Sequence, residues 1–118
     1  MNRTEEYRSR FKTAIGKMKA EIPETTQGFA GLFGKVMKDG ALTAREKELI
    51  ALAIGVAVHC EPCILSHVQS CLDSGATRQQ ILEAASVAVM MAGGPAYTHI
   101  PVVLETLDDL QTESSDKS

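Results

Sequence analysis

Apolar residues recur along the chain at steps of three and four, and no apolar–polar alternation lasts long enough to build a sheet. From Thr4 to Ala20, the residues Tyr7, Phe11, Ile15 and Met18 fall on one face of an amphipathic helix. This segment has more Lys and Arg than acid, which reads as a solvated face. Ile22-Pro23 breaks the pattern. It resumes from Thr26 to Lys38 through Phe29, Leu32, Phe33, Val36 and Met37, and stops at Asp39-Gly40. Thr43 and Glu46 have the form of a capping box, which predicts a helix from there to about Val58. From Leu49 onward this helix is apolar on nearly every face, the pattern of a central, buried element.

Pro62 suits the first turn of the next helix, which runs through ILSHVQSCLDSG to about Gly75. Thr77 and Gln80 form a second capping box and open TRQQILEAASVAVMMAGGP. Its alanines, Ala84, Ala85, Ala88 and Ala92, let a neighbour approach closely, and Gly93-Gly94-Pro95 ends it. A last helical segment spans about Ala96 to Leu110, and QTESSDKS reads as a disordered tail, 111–118. The expectation is an all-α fold of about six helices in a single domain over 1–110. Two helices that are apolar almost all round exceed what one small core covers, so a homo-oligomer is expected.

Composition narrows the function. The 118 residues are 44% hydrophobic and 23% charged, ordinary for a globular domain, and only 4% aromatic, so Leu, Ile, Val, Ala and Met must fill the core. A net charge of −3 gives no electrostatic case for nucleic acid or an anionic membrane. The longest apolar run, Leu49 to Val58, is too short to span a bilayer. With no secretory signal at the start and three cysteines, a reducing compartment, the cytoplasm, is the expectation.

The chemistry concentrates in HCEPCILSH, residues 59–67. Cys60 and Cys63 stand at a helix start, where free N–H groups and the helix dipole favour a thiolate. Such thiols are often acidified to about 3.5–7.5. They are also close enough to close a disulfide with little backbone motion. His67 follows Cys63 by four residues, on the same helix face, where it can take the thiol proton or stabilise the thiolate. Cys71, one turn further, reads as a small core residue. CxxC also serves zinc sites and occurs as inert buried thiols. A zinc site wants four ligands, and beyond Cys60, Cys63 and His67 only His59, Cys71 and the distant His99 remain. A thioredoxin-type fold would need βαβ units that the pattern lacks.

Glu48, Cys60-x-x-Cys63 and His67, followed by LDSGATRQQILEA and AVMMAGGPAYTHIP, resemble the carboxymuconolactone decarboxylase family, and within it the AhpD-type alkylhydroperoxidase branch. The resemblance covers about residues 25–110. It implies an all-α fold assembled as trimers or hexamers. It implies that Cys63 is the peroxidatic nucleophile and Cys60 the resolving cysteine. It further implies that His67 relays protons and that Glu48 serves His67 through a water. Register supports His67 beside Cys63. A glutamate in the first turns of a helix is more often a surface charge, and an antiparallel helix pair would leave Glu48 roughly one turn, about 5 Å, from His67. The branch carries a histidine immediately before its second cysteine, where this chain has Pro62; His59 precedes the first.

The expectation is therefore a dithiol peroxidase or disulfide reductase acting on a peroxide or disulfide substrate. Either thiol could lead. No nucleotide fingerprint or cofactor site is present in the sequence, so an external reductant protein or small dithiol must recharge the pair. A lactone decarboxylase and a non-catalytic oligomeric scaffold are the alternatives. Tyr97 and His99 read as an ordinary helix start, with a place in a pocket or an interface as the alternative.

Overall fold

The sequence patterns correspond, in the computed structural model, to helices α1 (Arg3–Glu21), α2 (Pro23–Val36), α3 (Ala44–Ala57), α4 (Glu61–Asp73), α5 (Arg78–Ala92), α6 (Gly94–Tyr97) and α7 (Ile100–Lys117). Residues 1–117 are described, with side chains as far as Thr112. The tail expected at 111–118 lies for the most part outside the described side chains. No strand occurs among the described residues, and α6 is a single turn of four residues, which leaves six full helices. The fold is all-α, as the three- and four-residue spacing requires.

Two compact units divide the chain, Met1–Asp39 and Gly40–Ser118. The first is the pair α1 and α2. Pro23 ends one helix and occupies the first turn of the other, where its missing N–H costs nothing. Tyr7 and Phe11 stack one turn apart on α1, with ring centroids 6.2 Å apart. The only buried residue of this unit is Thr4, and Phe29, Leu32 and Val36 are exposed.

The second unit holds the core. Here α3 packs against both α4 and α5, α4 against α7, and α5 against α6 and α7. Leu52, Val56, Ile64, Val68, Ile81, Val103 and Leu107 are fully buried where these helices meet. Both expected capping boxes are formed, Thr43 with Glu46 and Thr77 with Gln80. The Thr43 hydrogen bonds hold the Glu46 carboxyl below its ordinary pKa, so the cap keeps its charge. The segment expected from about Ala96 to Leu110 divides in two, because Pro95 opens α6 and Pro101 lies in the first turn of α7.

Within the single chain the apolar half of α3 is buried on one side only: Ile50, Ile54 and Val58 are 47%, 57% and 63% exposed, while Leu52 and Val56 are 0%. The neighbours α4 and α5 cover one face, and no described helix of this unit covers the other. The same holds for Val87, Met90 and Met91 on α5, all exposed.

Leu52 sits where α3 meets its two neighbours. Leu52→Ala should destabilise the chain by about 2–5 kcal/mol, read as a lower urea midpoint at an unchanged slope.

Candidate functional site

The site grows from two helix ends. Three residues, 58–60, lie between α3 and α4. The Cys60 N–H donates to the Gly55 carbonyl at 2.9 Å, and the His59 N–H donates to the Val56 carbonyl at 3.2 Å. These are the two bonds of a Schellman motif, which closes α3 and turns the chain at once into α4. Cys60 is then the N-cap of α4, and its Sγ accepts the N–H of Cys63 at 3.2 Å, where a Ser or Asp oxygen usually stands. Pro62 occupies the first turn, which has no need of its N–H.

Cys60 and Cys63 are joined by a disulfide with their Cα atoms 5.2 Å apart. Both are half-buried, within reach of solvent. The expected proximity of the two sulfurs in one helical turn is thus present. When the bond opens, the N–H now facing Cys60 Sγ and the α4 dipole favour negative charge there.

One turn on from Cys63, His67 Nδ1 lies 2.9 Å from Glu48 Oε2, with side chains 15% and 8% exposed. Glu48 is therefore neither a surface charge nor separated from His67 by a water; the contact is direct. The helix crossing explains it. Gly55 of α3 lies against Cys63 of α4, so Glu48 stands seven residues before the crossing and His67 four residues after it. Their offset along the axes is roughly 4.5 Å, which the length of a glutamate side chain spans.

Gly55 is the residue that sequence reasoning missed. A Cβ added at position 55 would stand 3.1 Å from Cys63 Cβ, and 3.7 Å from both the Cys63 carbonyl carbon and the Ile64 nitrogen. Only a glycine lets the two backbones come this close without displacement. The signal was available: a lone glycine within LAIGVAV costs helix stability, and such a glycine usually has a packing reason.

Cys71 is fully buried, as expected of a core thiol. Burial, and secondarily the nearby charge of Glu48, push its thiol up to about 12 from an ordinary 9.0. It stays protonated at neutral pH and plays no part in the surface chemistry. His59 and His99 stack with ring centroids 5.0 Å apart and planes at 19°. Tyr97 lies instead in an apolar groove of about 450 Å³ with Leu82, Ser86, Val89, Ile100 and Leu104, between α5, α6 and α7. No cluster of three or more His, Cys, Asp or Glu side chains able to hold a metal ion occurs among the described residues. No described helix is long and apolar enough to cross a membrane.

Comparison with known proteins places this geometry among relatives. The sequence profile of the carboxymuconolactone decarboxylase family matches residues 23–104. The chain is 38% identical over 97 residues to uncharacterized protein 4 of the cox locus of Paracoccus denitrificans, covering 82% of this chain and 87% of that one. A crystal structure of lpg0406, a carboxymuconolactone decarboxylase family protein from Legionella pneumophila in its apo form, superposes with a TM-score of 0.87 at 36% identity; it covers 92% of this chain and 97% of that one. The family protein TM1620 from Thermotoga maritima, for which a part in the antioxidative response has been suggested, matches with a TM-score of 0.73 at 27% identity, over 78% of this chain and 95% of its own.

Two outcomes test the reading of the helix crossing and of the buried thiol. In a helix interior Gly→Ala normally stabilises by about 1 kcal/mol, as Gly34→Ala should, since its Cβ would meet nothing within 4 Å. Gly55→Ala should instead destabilise, by about 1–3 kcal/mol, because overpacking outweighs the helix gain; urea unfolding of both variants checks the opposite signs. For Cys71, the unfolded chain releases the thiol proton above pH 9 while the folded chain holds it to about 12, so this residue makes stability fall as pH rises across that window. Cys71→Ala should flatten that part of the stability–pH curve, measured by denaturant titration.

Proposed function

The chain belongs to the carboxymuconolactone decarboxylase family, and on that premise we propose that it is a thiol-dependent oxidoreductase of the AhpD-like branch, a peroxidase or disulfide reductase cycling between the Cys60–Cys63 disulfide and the dithiol. The observation that carries this reading is the conjunction of a half-buried disulfide at a helix N-terminus with a buried, directly paired Glu48–His67 one turn behind it. A decarboxylase has no use for paired thiols at a helix start.

In the peroxidase cycle Cys63, as thiolate, attacks one oxygen of the peroxide. The O–O bond breaks, the sulfur is oxidised to a sulfenic acid, and the departing alkoxide takes a proton from His67 to leave as an alcohol. Glu48, bonded to Nδ1, orients the imidazole and balances its positive charge, leaving Nε2 as the nitrogen that carries the proton. Cys60 then condenses with the sulfenic acid, giving the disulfide and water. Two electrons from an external dithiol, protein or small molecule, restore the pair by thiol–disulfide exchange. As a disulfide reductase the same pair donates those electrons through a mixed disulfide. The suggested antioxidative part of the Thermotoga relative accords with this chemistry, and a reducing compartment such as the cytoplasm suits the dithiol state.

The exposed apolar residues of α3 and α5 support assembly into a homo-oligomer, a trimer or hexamer, in which those faces are covered.

The test is peroxide consumption by the pre-reduced protein supplied with a small dithiol. Cys60→Ser and Cys63→Ser should each abolish multiple turnover. His67→Ala should lower the rate by about 10²–10⁴-fold, the usual worth of a positioned proton donor, and Glu48→Gln by less. Unchanged turnover of a lactone dicarboxylate by the Cys60→Ser/Cys63→Ser double variant would establish the decarboxylase instead.

A further inference from the structure

The two units of the chain are unequally provided with a core. Gly40–Ser118 closes around a continuous set of buried apolar residues, whereas Met1–Asp39 buries Thr4 alone. A unit of this length stands at about 40 residues, the size below which a disulfide, a metal or a partner chain is usually needed for stability. The disulfide lies in the other unit. No metal-holding cluster occurs among the described residues. A partner surface remains.

The form of that partner is written on α2. Phe29 and Leu32 are 67% and 60% exposed, and Phe33 and Val36 continue the same stripe. These four positions follow the i, i+3, i+4, i+7 spacing with which an amphipathic helix lies in an apolar groove. The second unit has such a groove, the space of about 450 Å³ between α5, α6 and α7. Leu82, Val89, Ile100 and Leu104 line it, and the exposed Ser86 and Tyr97 border it. Charge matches as well. Residues 1–39 hold eight Lys and Arg against five Asp and Glu, a net +3, while residues 40–118 hold four against ten, a net −6. Lys35 belongs to α2, and Glu83 and Glu105 adjoin the groove residues Leu82 and Leu104 in sequence. One sequence thus supplies both halves of a contact, a basic body with an apolar ridge and an acidic body with an apolar furrow.

We propose that α2 of one copy lies in the α5–α6–α7 groove of a second copy. Phe29 and Leu32 fill the furrow, and the basic unit of one chain lies against the acidic unit of the next. The contact joins two different patches, so it runs head to tail, and contacts of that kind close into rings when the rotation allows. The inference rests on the homo-oligomer reading above and adds to it the surfaces that join; the thiol chemistry is untouched by it.

The test is the mass of the full chain in solution, by sedimentation or light scattering. Ser86→Arg and Tyr97→Lys each put a cation at the groove, at positions exposed enough to cost the fold little. Circular dichroism checks the helix content, and Tyr97→Lys stands in should Ser86→Arg lose helix. Leu32→Glu puts an acid on the stripe. The wild-type chain is expected above the mass of one copy, and each variant at a lower mass at equal concentration. An equal mixture of Leu32→Glu and Ser86→Arg should regain a complex larger than either forms alone, because the intact stripe of one fits the intact groove of the other. A wild-type chain at the mass of one copy would overturn the proposal together with the oligomer reading. A wild-type oligomer whose mass is unchanged in Leu32→Glu, or in both groove variants, would overturn the docking alone. So would a mixture that gains nothing.

Discussion

The contact between Gly55 and Cys63 governs the rest of the site. Because a hydrogen replaces a side chain at position 55, the α3 and α4 backbones meet at the level of the second cysteine. That approach sets the depth of the thiol, the offset at which Glu48 reaches His67, and the path of the three residues that join the helices. The carbonyl of the same glycine receives the Cys60 N–H. One residue without a side chain therefore places both sulfurs, one by letting a helix come near and the other by anchoring the turn before it.

Electrostatics follow from that packing. The start of α4 offers N–H groups to sulfur, and the paired carboxylate and imidazole sit a turn deeper, largely out of water. Within the same helix Cys71 faces the core, and burial holds it as an inert thiol. The three cysteines at the cap and within this short helix are thus separated chemically by depth and by distance from the helix start. The two near the helix start meet solvent and fixed dipoles, and the third is fully buried in the apolar core.

Much of this was legible in the chain. The capping boxes at Thr43 and Thr77, the stop at Gly75 and the shared face of Cys63 and His67 all follow from local rules that act within a few residues, and the helices formed where those rules placed them. What resisted reading was set by how helices meet. Register along one helix could not bring Glu48 into contact with a residue 19 positions away, since this depends on where α3 and α4 cross. The role of Gly55 has the same origin. The stack of His59 on His99 joins residues 40 apart through a left-handed turn, and no periodicity encodes it.

The three-residue junction between α3 and α4 also gives the spacing of the motif a mechanical meaning. Each residue of an α-helix turns the chain by about 100°, so adding or removing one position between Glu48 and Gly55 would carry the carboxylate round to another side of its helix. A change between Gly55 and Cys60 would unpick the bond that fastens one helix end to the next. The intervals separating glutamate, glycine, cysteine and histidine are consequently gear ratios: substitutions can be absorbed around them, but a change in length cannot, because the residues between them are helix or the hydrogen-bonded turn that joins the helices.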